Sequence, residues 1–183
     1  MRQTILLFGT IAGVLVAVPL YLTTMIWQGT PPPNGMLIGY ATMLVALTAV
    51  FVGVKRHRDI ARGGVIGFWP AFGMGLTISA VAALFYVAAW EAALASLPGD
   101  PIATFIDALI EGERAKGRSG AELAKFEADM RAFQVDYANP LVRLPMSFAE
   151  IFPVGVLVSL VSAALLRDHR FLPARGRAVP APR

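Results

Sequence analysis

From Gln3 to Val54 the chain carries no charged side chain. That run is too long for a single crossing of a bilayer, which a helix spans with ~20 residues. Thr30-Pro31-Pro32-Pro33-Asn34-Gly35 divides it. Consecutive prolines cannot continue a helix, and Asn-Gly favours a turn. The pattern therefore predicts one span over 4–27 and a second over 35–54. A further uncharged stretch runs from Gly63 to Trp90. Pro70 suits the first turn of a helix, where its missing N–H costs nothing, which predicts a third span over 70–90. The fourth, over 145–166, is interrupted by Glu150, expected within about a turn and a half of its end, where a carboxylate still reaches the interface. The long apolar run of 4–27 and the lack of an A-x-A site mark it as a retained helix rather than a cleaved signal peptide.

Apolar residues make up 56% of the chain and charged residues 15%, against typical soluble values near ~45–50% and ~25%. A soluble fold cannot hide that much apolar surface, and a disordered chain would be richer in charge. The absence of cysteine excludes a disulfide scaffold and any thiolate metal or redox site. The expected fold class is all-α: an integral membrane four-helix bundle (residues 1–166) with an extracytoplasmic helical hairpin at 91–144, between the third and fourth spans. A basic, proline-containing cytoplasmic tail follows at 167–183.

Orientation follows from lysine and arginine in short loops. Lys55, Arg56, Arg58 and Arg62 surround Asp59, and Arg167, Arg170, Arg175, Arg177 and Arg183 outnumber Asp168 in the tail. Between Glu91 and Pro145 acids outnumber bases. Both termini and the 55–62 loop are therefore expected in the cytoplasm. Trp27, Trp69 and Trp90 fall at span ends, where amphipathic rings prefer the headgroup layer.

Within the external segment, Asp100-Pro101 supplies an N-cap and a proline at the first helical position. Ile102, Phe105, Ile106, Leu109 and Ile110 then mark one helix face. Ser119 and Glu122 read as a capping box for a second helix over 120–137. Its stripe is Leu123, Phe126, Met130, Phe133 and Tyr137, with Lys125–Asp129 and Glu127–Arg131 as i,i+4 pairs on the other face. Asn139-Pro140 ends it. These stripes either pack on each other and on the bundle, or dock a partner protein or the outer leaflet.

Glu91 and Glu150 are the candidate ion or proton site, because ionisable groups at membrane depth are expensive. The alternative is that each reaches the interface or pairs with Arg143. Lys55, Arg56, Arg58, Arg167 and Arg170 are candidate contacts for anionic lipid headgroups, beside their plain topogenic role. His57 and His169, with Asp59 and Asp168, match no metal-ligand spacing and sit among positive charges. Gly9 and Gly13, Gly35 and Gly39, and Ala71 with Gly75 and Ser79 are small-residue patterns that let membrane helices approach, within the bundle or in a homodimer. Pro19 and Pro153 are expected to kink their helices.

No Walker loop, dinucleotide fingerprint or hydrolase motif is present. Ser159 and Ser162 have no base at their depth, so no enzyme activity and no cofactor are expected. The basic tail lacks aromatic interleaving beyond Phe171, so nucleic acid is not an expected partner. The expected role is a non-catalytic accessory or scaffolding component of a membrane complex. The alternative is a small ion- or proton-linked transporter using Glu91 and Glu150.

Gly35-Met-Leu-Ile-Gly-Tyr-Ala-Thr-Met, Phe51-Val-Gly-Val-Lys-Arg-His-Arg-Asp59 and Gly63-Gly-Val-Ile-Gly-Phe68 resemble a bacterial membrane family, domain of unknown function 4199. The likeness covers about residues 4–166 and rests mainly on 35–75. It implies four spans with a long external segment before the last and a bacterial inner-membrane location. It implies no activity, and it leaves out the tail from Arg170.

Overall fold

A computed structural model describes residues 1–174, which form six helices and no strand. They are α1 (Arg2–Ile26), α2 (Gly35–Ala61), α3 (Phe68–Ser96), α4 (Pro101–Ala115), α5 (Gly120–Tyr137) and α6 (Pro140–Leu166). The expected all-α class is present, and α1, α2, α3 and α6 are long and apolar enough to cross a membrane. The tail positions Arg175, Arg177 and Arg183 lie outside the described residues.

Each span ends where its local chemistry requires. After α1, Gln28 and Gly29 adopt left-handed backbone angles and the three prolines prevent continuation. Asn34, also left-handed, leads into α2. The second helix continues through its basic cluster to Ala61 rather than stopping at Val54, because charge at a helix end does not break hydrogen bonding. Gly63 and Gly64 stop it, at φ +62° and +91°, angles that favour glycine. The third helix starts at Phe68 and outruns Trp90 to Ser96. The sixth starts at Pro140 rather than Pro145, since the Asn139 side chain accepts the Leu141 N–H at 3.0 Å and Pro140 takes the first helical position.

α1, α2, α6 and α3 pack as a four-helix bundle around small residues. A Cβ on Gly9 would stand 2.7 Å from Val81, on Gly13 2.6 Å from Phe85, and on Gly75 2.9 Å from Ser159. Close approach of this kind drives association where lipid removes any hydrophobic preference. Ala71 is fully buried in the same contact region. Two further glycines, not singled out by the sequence patterns, belong to this set. Gly155 would place a Cβ 2.6 Å from Ser79, and Gly53 2.9 Å from Phe8. The Ser79 hydroxyl lies 3.3 Å from the Ser159 hydroxyl, and Ser159 donates to the Gly155 carbonyl at 2.7 Å. The outward faces carry exposed Leu7, Val14, Leu44, Val52, Leu84 and Leu157, as a lipid-facing surface requires.

The pair Gly35 and Gly39 does not pack helices within the chain. Gly35 meets Pro32 of its own turn, and a Cβ on Gly39 would meet no atom within 4 Å. The upper turns of α2 stand apart from their neighbours, with Met36, Leu37 and Ile38 exposed.

α4 and α5 form the expected hairpin. Asp100 caps α4 by accepting the Ile102 and Ala103 N–H groups at 3.0 Å each. Ile106 and Ile110 of α4 are buried, whereas α5 buries no residue completely. The expected capping box is missing: Ser119 makes no side-chain cap. Gly120, with φ +59°, enters α5 in a left-handed conformation, so the first turn departs from the helical geometry a cap requires. Nor do Lys125–Asp129 and Glu127–Arg131 form ion pairs. Arg131 instead crosses to Asp107 of α4, and Gln134 donates to Asp100. Bonding across the hairpin thus replaces bonding along α5. At the hairpin tip, the Lys116 ammonium bonded to Glu113 holds that carboxyl below its usual range, with Arg118 adding to the effect.

Candidate functional site: an apolar cavity with one carboxylate

The two candidate carboxylates go to different partners. Arg143 of α6 donates to Glu91 of α3 through Nε and Nη2, each at 2.6 Å. This fork matches the carboxylate geometry and fixes Glu91 in place. Arg143 Nη1 also reaches the Tyr137 carbonyl at the end of α5. Glu91 is thus the anchor between α3, α6 and the hairpin, and it does not converge with Glu150.

Glu150 lies ten residues into α6, about 15 Å from the helix start at ~1.5 Å per residue. The earlier start of α6 therefore sets it further from the helix end than the turn and a half expected from the sequence, and the residue is exposed. Its Oε2 accepts the Tyr86 hydroxyl at 2.7 Å. Tyr86 is itself buried, at 5% exposure. One turn above Tyr86 on α3, Trp90 donates its indole N–H to the Tyr137 hydroxyl at 2.8 Å. The Tyr137 and Ser147 hydroxyls approach to 3.3 Å. Trp90 consequently serves inside the molecule, where it links α3 to the hairpin, while Trp27 and Trp69 are the exposed tryptophans.

Glu150, Tyr86, Trp90, Tyr137 and Ser147 share one cavity of about 650 Å³. Val16, Pro19 and Leu20 of α1 and Met36, Gly39 and Met43 of α2 form its apolar side. Ile102 and Phe105 of α4 and Phe133 of α5 close it toward the hairpin. Gly39 has no packing neighbour because it faces this space. Glu150 is the one charged residue in the lining. Below it, Ala12, Ala46, Leu47, Ala82 and Ile151 are buried, and the Gly155–Ser79–Ser159 contact closes the bundle. The volume falls within the ~300–1,000 Å³ of small-molecule sites, and such sites combine mostly apolar walls with a few placed polar groups.

At the opposite end, Arg58 departs from its expected lipid contact. Its side chain is completely buried, pairs with Asp59 at 2.7 Å, and donates to the carbonyls of Leu166, Phe171 and Leu172. A guanidinium there satisfies the last carbonyl of α6, ties down two carbonyls of the segment that follows it, and suits the helix dipole. It cannot also meet a headgroup. Lys55 pairs with Asp59, and Arg56, Arg167 and Arg170 remain exposed. His57 is buried and His169 exposed, and no three potential metal ligands gather among the described residues.

Several of these roles escaped the sequence. Tyr86 and Trp90 sit four apart on α3, and Ser147 and Glu150 three apart on α6, so each pair shares a helix face. Nothing in sequence showed that the faces meet. Arg58 continues the buried Val50–Val54 spacing of α2, a signal hidden by ending that helix at Val54.

Neither the curated proteins nor the solved structures yield a match to this chain. A family model described as a protein of unknown function (DUF4199) matches residues 7–168, which takes in all four spans, the hairpin and the cavity. The chain is a multi-pass membrane protein belonging to the DUF4199 family.

Proposed function

We propose that this protein is a non-catalytic accessory component of the bacterial inner membrane that holds a membrane-soluble ligand in its outer-half cavity. The observation that carries this reading is a cavity walled by all six helices and closed beneath by buried Ala12, Ala46, Leu47, Ala82 and Ile151. Such a space receives a molecule rather than passing it across. The separate engagement of Glu91 by Arg143 supports the same reading, because a site built on both carboxylates needs them together.

In this reading the end bearing Lys55–Arg62 and Arg167–Arg170 faces the cytoplasm, by the excess of basic residues in short loops. Lys55, Arg56, Arg167 and Arg170 meet anionic headgroups there. The complex served includes a membrane-protein partner or a second copy of the chain, which crosslinking in native membranes followed by mass spectrometry distinguishes.

The test of the ligand is extraction of the wild-type protein and of Gly39→Leu directly into lipid nanodiscs, followed by mass spectrometry of bound small molecules. A molecule enriched over bulk lipid with the wild type, and depleted with Gly39→Leu, is the expected result. No enrichment over bulk lipid in the wild type counts against it. The transporter reading retains one favouring observation, the position of Glu150 on the cavity wall. It requires Glu150→Gln to reduce flux in proteoliposomes.

A further inference from the structure

The cavity is not uniformly apolar: its one charged residue, Glu150, stands on one wall, while Thr24, Thr30 and Thr42 on the other side commit their hydroxyls to backbone carbonyls of their own turns. Glu150 accepts a single hydrogen bond, from Tyr86 to Oε2, and Oε1 has no donor among the described residues. The neighbouring polar groups do not balance a negative charge. The Trp90 N–H is committed to Tyr137, and Arg143, the nearest arginine along α6, is committed to Glu91. The aromatic residues Tyr40, Tyr86, Trp90 and Tyr137 line the same space. Aromatic rings attract cations through their quadrupole, more strongly where water is excluded. Away from this wall, the lining from Val16, Pro19, Leu20, Met36 and Met43 offers an apolar slot.

From this arrangement we infer that the cavity binds a cationic amphiphile, with its positively charged head at Glu150 and its apolar body between α1 and α2. The inference rests on the reading of the cavity as a ligand site and specifies the charge of what enters it. Glu150 is exposed to this space, so an anionic head would be repelled by its carboxylate and a neutral one would gain nothing from its charge. Discrimination by charge is therefore built into the wall, whereas apolar contact alone would accept any chain of suitable size.

Trp90 on the cavity wall provides the readout. In a Trp27→Phe/Trp69→Phe background, the protein is placed in phosphatidylcholine nanodiscs and titrated with three matched quenchers. They are 11-bromoundecyltrimethylammonium, 11-bromoundecanol and 11-bromoundecanoate, each referred to its own measured partitioning into protein-free discs. The expected result is saturable Trp90 quenching by the ammonium at a concentration at least tenfold below that for the other two. Gly39→Leu, which grows a side chain into open space, should abolish saturable quenching by all three. Glu150→Gln, which keeps the acceptor for Tyr86, should remove the preference while leaving saturable binding intact. Equal binding of all three probes, still blocked by Gly39→Leu, overturns the charge assignment and leaves the ligand site standing. Quenching that Gly39→Leu does not affect overturns both.

Discussion

Arg143 holds Glu91 through two parallel hydrogen bonds of 2.6 Å each, joining α6 to α3 at the point where the α4–α5 hairpin meets the bundle. The side chains are 16% and 32% exposed, so part of the attraction is screened, while the bidentate geometry preserves its directional part. Glu91→Gln or Arg143→Met should each lower stability by about 1–2 kcal/mol. The double variant should cost less than the sum of the two. Unfolding in detergent, followed across the double-mutant cycle, measures the coupling; additive effects would show that the pair contributes nothing beyond its separate contacts.

The glycines separate into two classes with opposite expected behaviour. Gly155→Ala drives a methyl against Ser79, where the Cβ positions are 2.6 Å apart, and should destabilise by ~1–3 kcal/mol through forced backbone shifts. Gly39→Ala meets open space and should be neutral or stabilising by ~0.5–1 kcal/mol, since alanine favours the helix. Thermal unfolding of the two variants in one detergent reads the sign directly. Similar losses for both would contradict the packing described for α2.

Arg58 is a buried tie rather than a surface charge. Arg58→Met should cost about 2–4 kcal/mol, because it frees three carbonyl groups and leaves Asp59 with Lys55 alone. Residues 167–174 should then become susceptible to limited proteolysis while the bundle stays resistant. Arg56→Met, at an exposed position on the same cluster, should leave the proteolysis pattern unchanged. Equal cleavage of the two variants and the wild type would remove the clamp.

Because the chain has no cysteine, single introduced thiols report topology cleanly. Glu122→Cys on the hairpin should react with a membrane-impermeant maleimide in intact spheroplasts. His169→Cys, beyond α6, should react only after the membrane is opened. The reverse pattern would invert the orientation proposed from the basic loops.

The four spans and the hairpin were legible from the chain alone, because each depends on information carried locally. Charge-free length sets a crossing, prolines and Asn-Gly divide one crossing from the next, and Asp100-Pro101 begins a helix wherever it stands. Gly9, Gly13 and Gly75 were readable for the same reason, as small residues at helical spacing. Ser119 shows the limit of local reading: its capping box was written in sequence, and the left-handed angle at Gly120 cancelled it.

What the tertiary structure alone decided is which faces meet. Residues far apart in sequence, Glu91 with Arg143 and Glu150 with Tyr86, became partners through the relative rotation of α3 and α6. No periodicity within one helix specifies that rotation. The placement of α2 against the other helices likewise buried Arg58 and left Gly39 facing a cavity. Local hydrogen bonding and transfer from water determine the helices one by one, whereas a site is a property of the space between them.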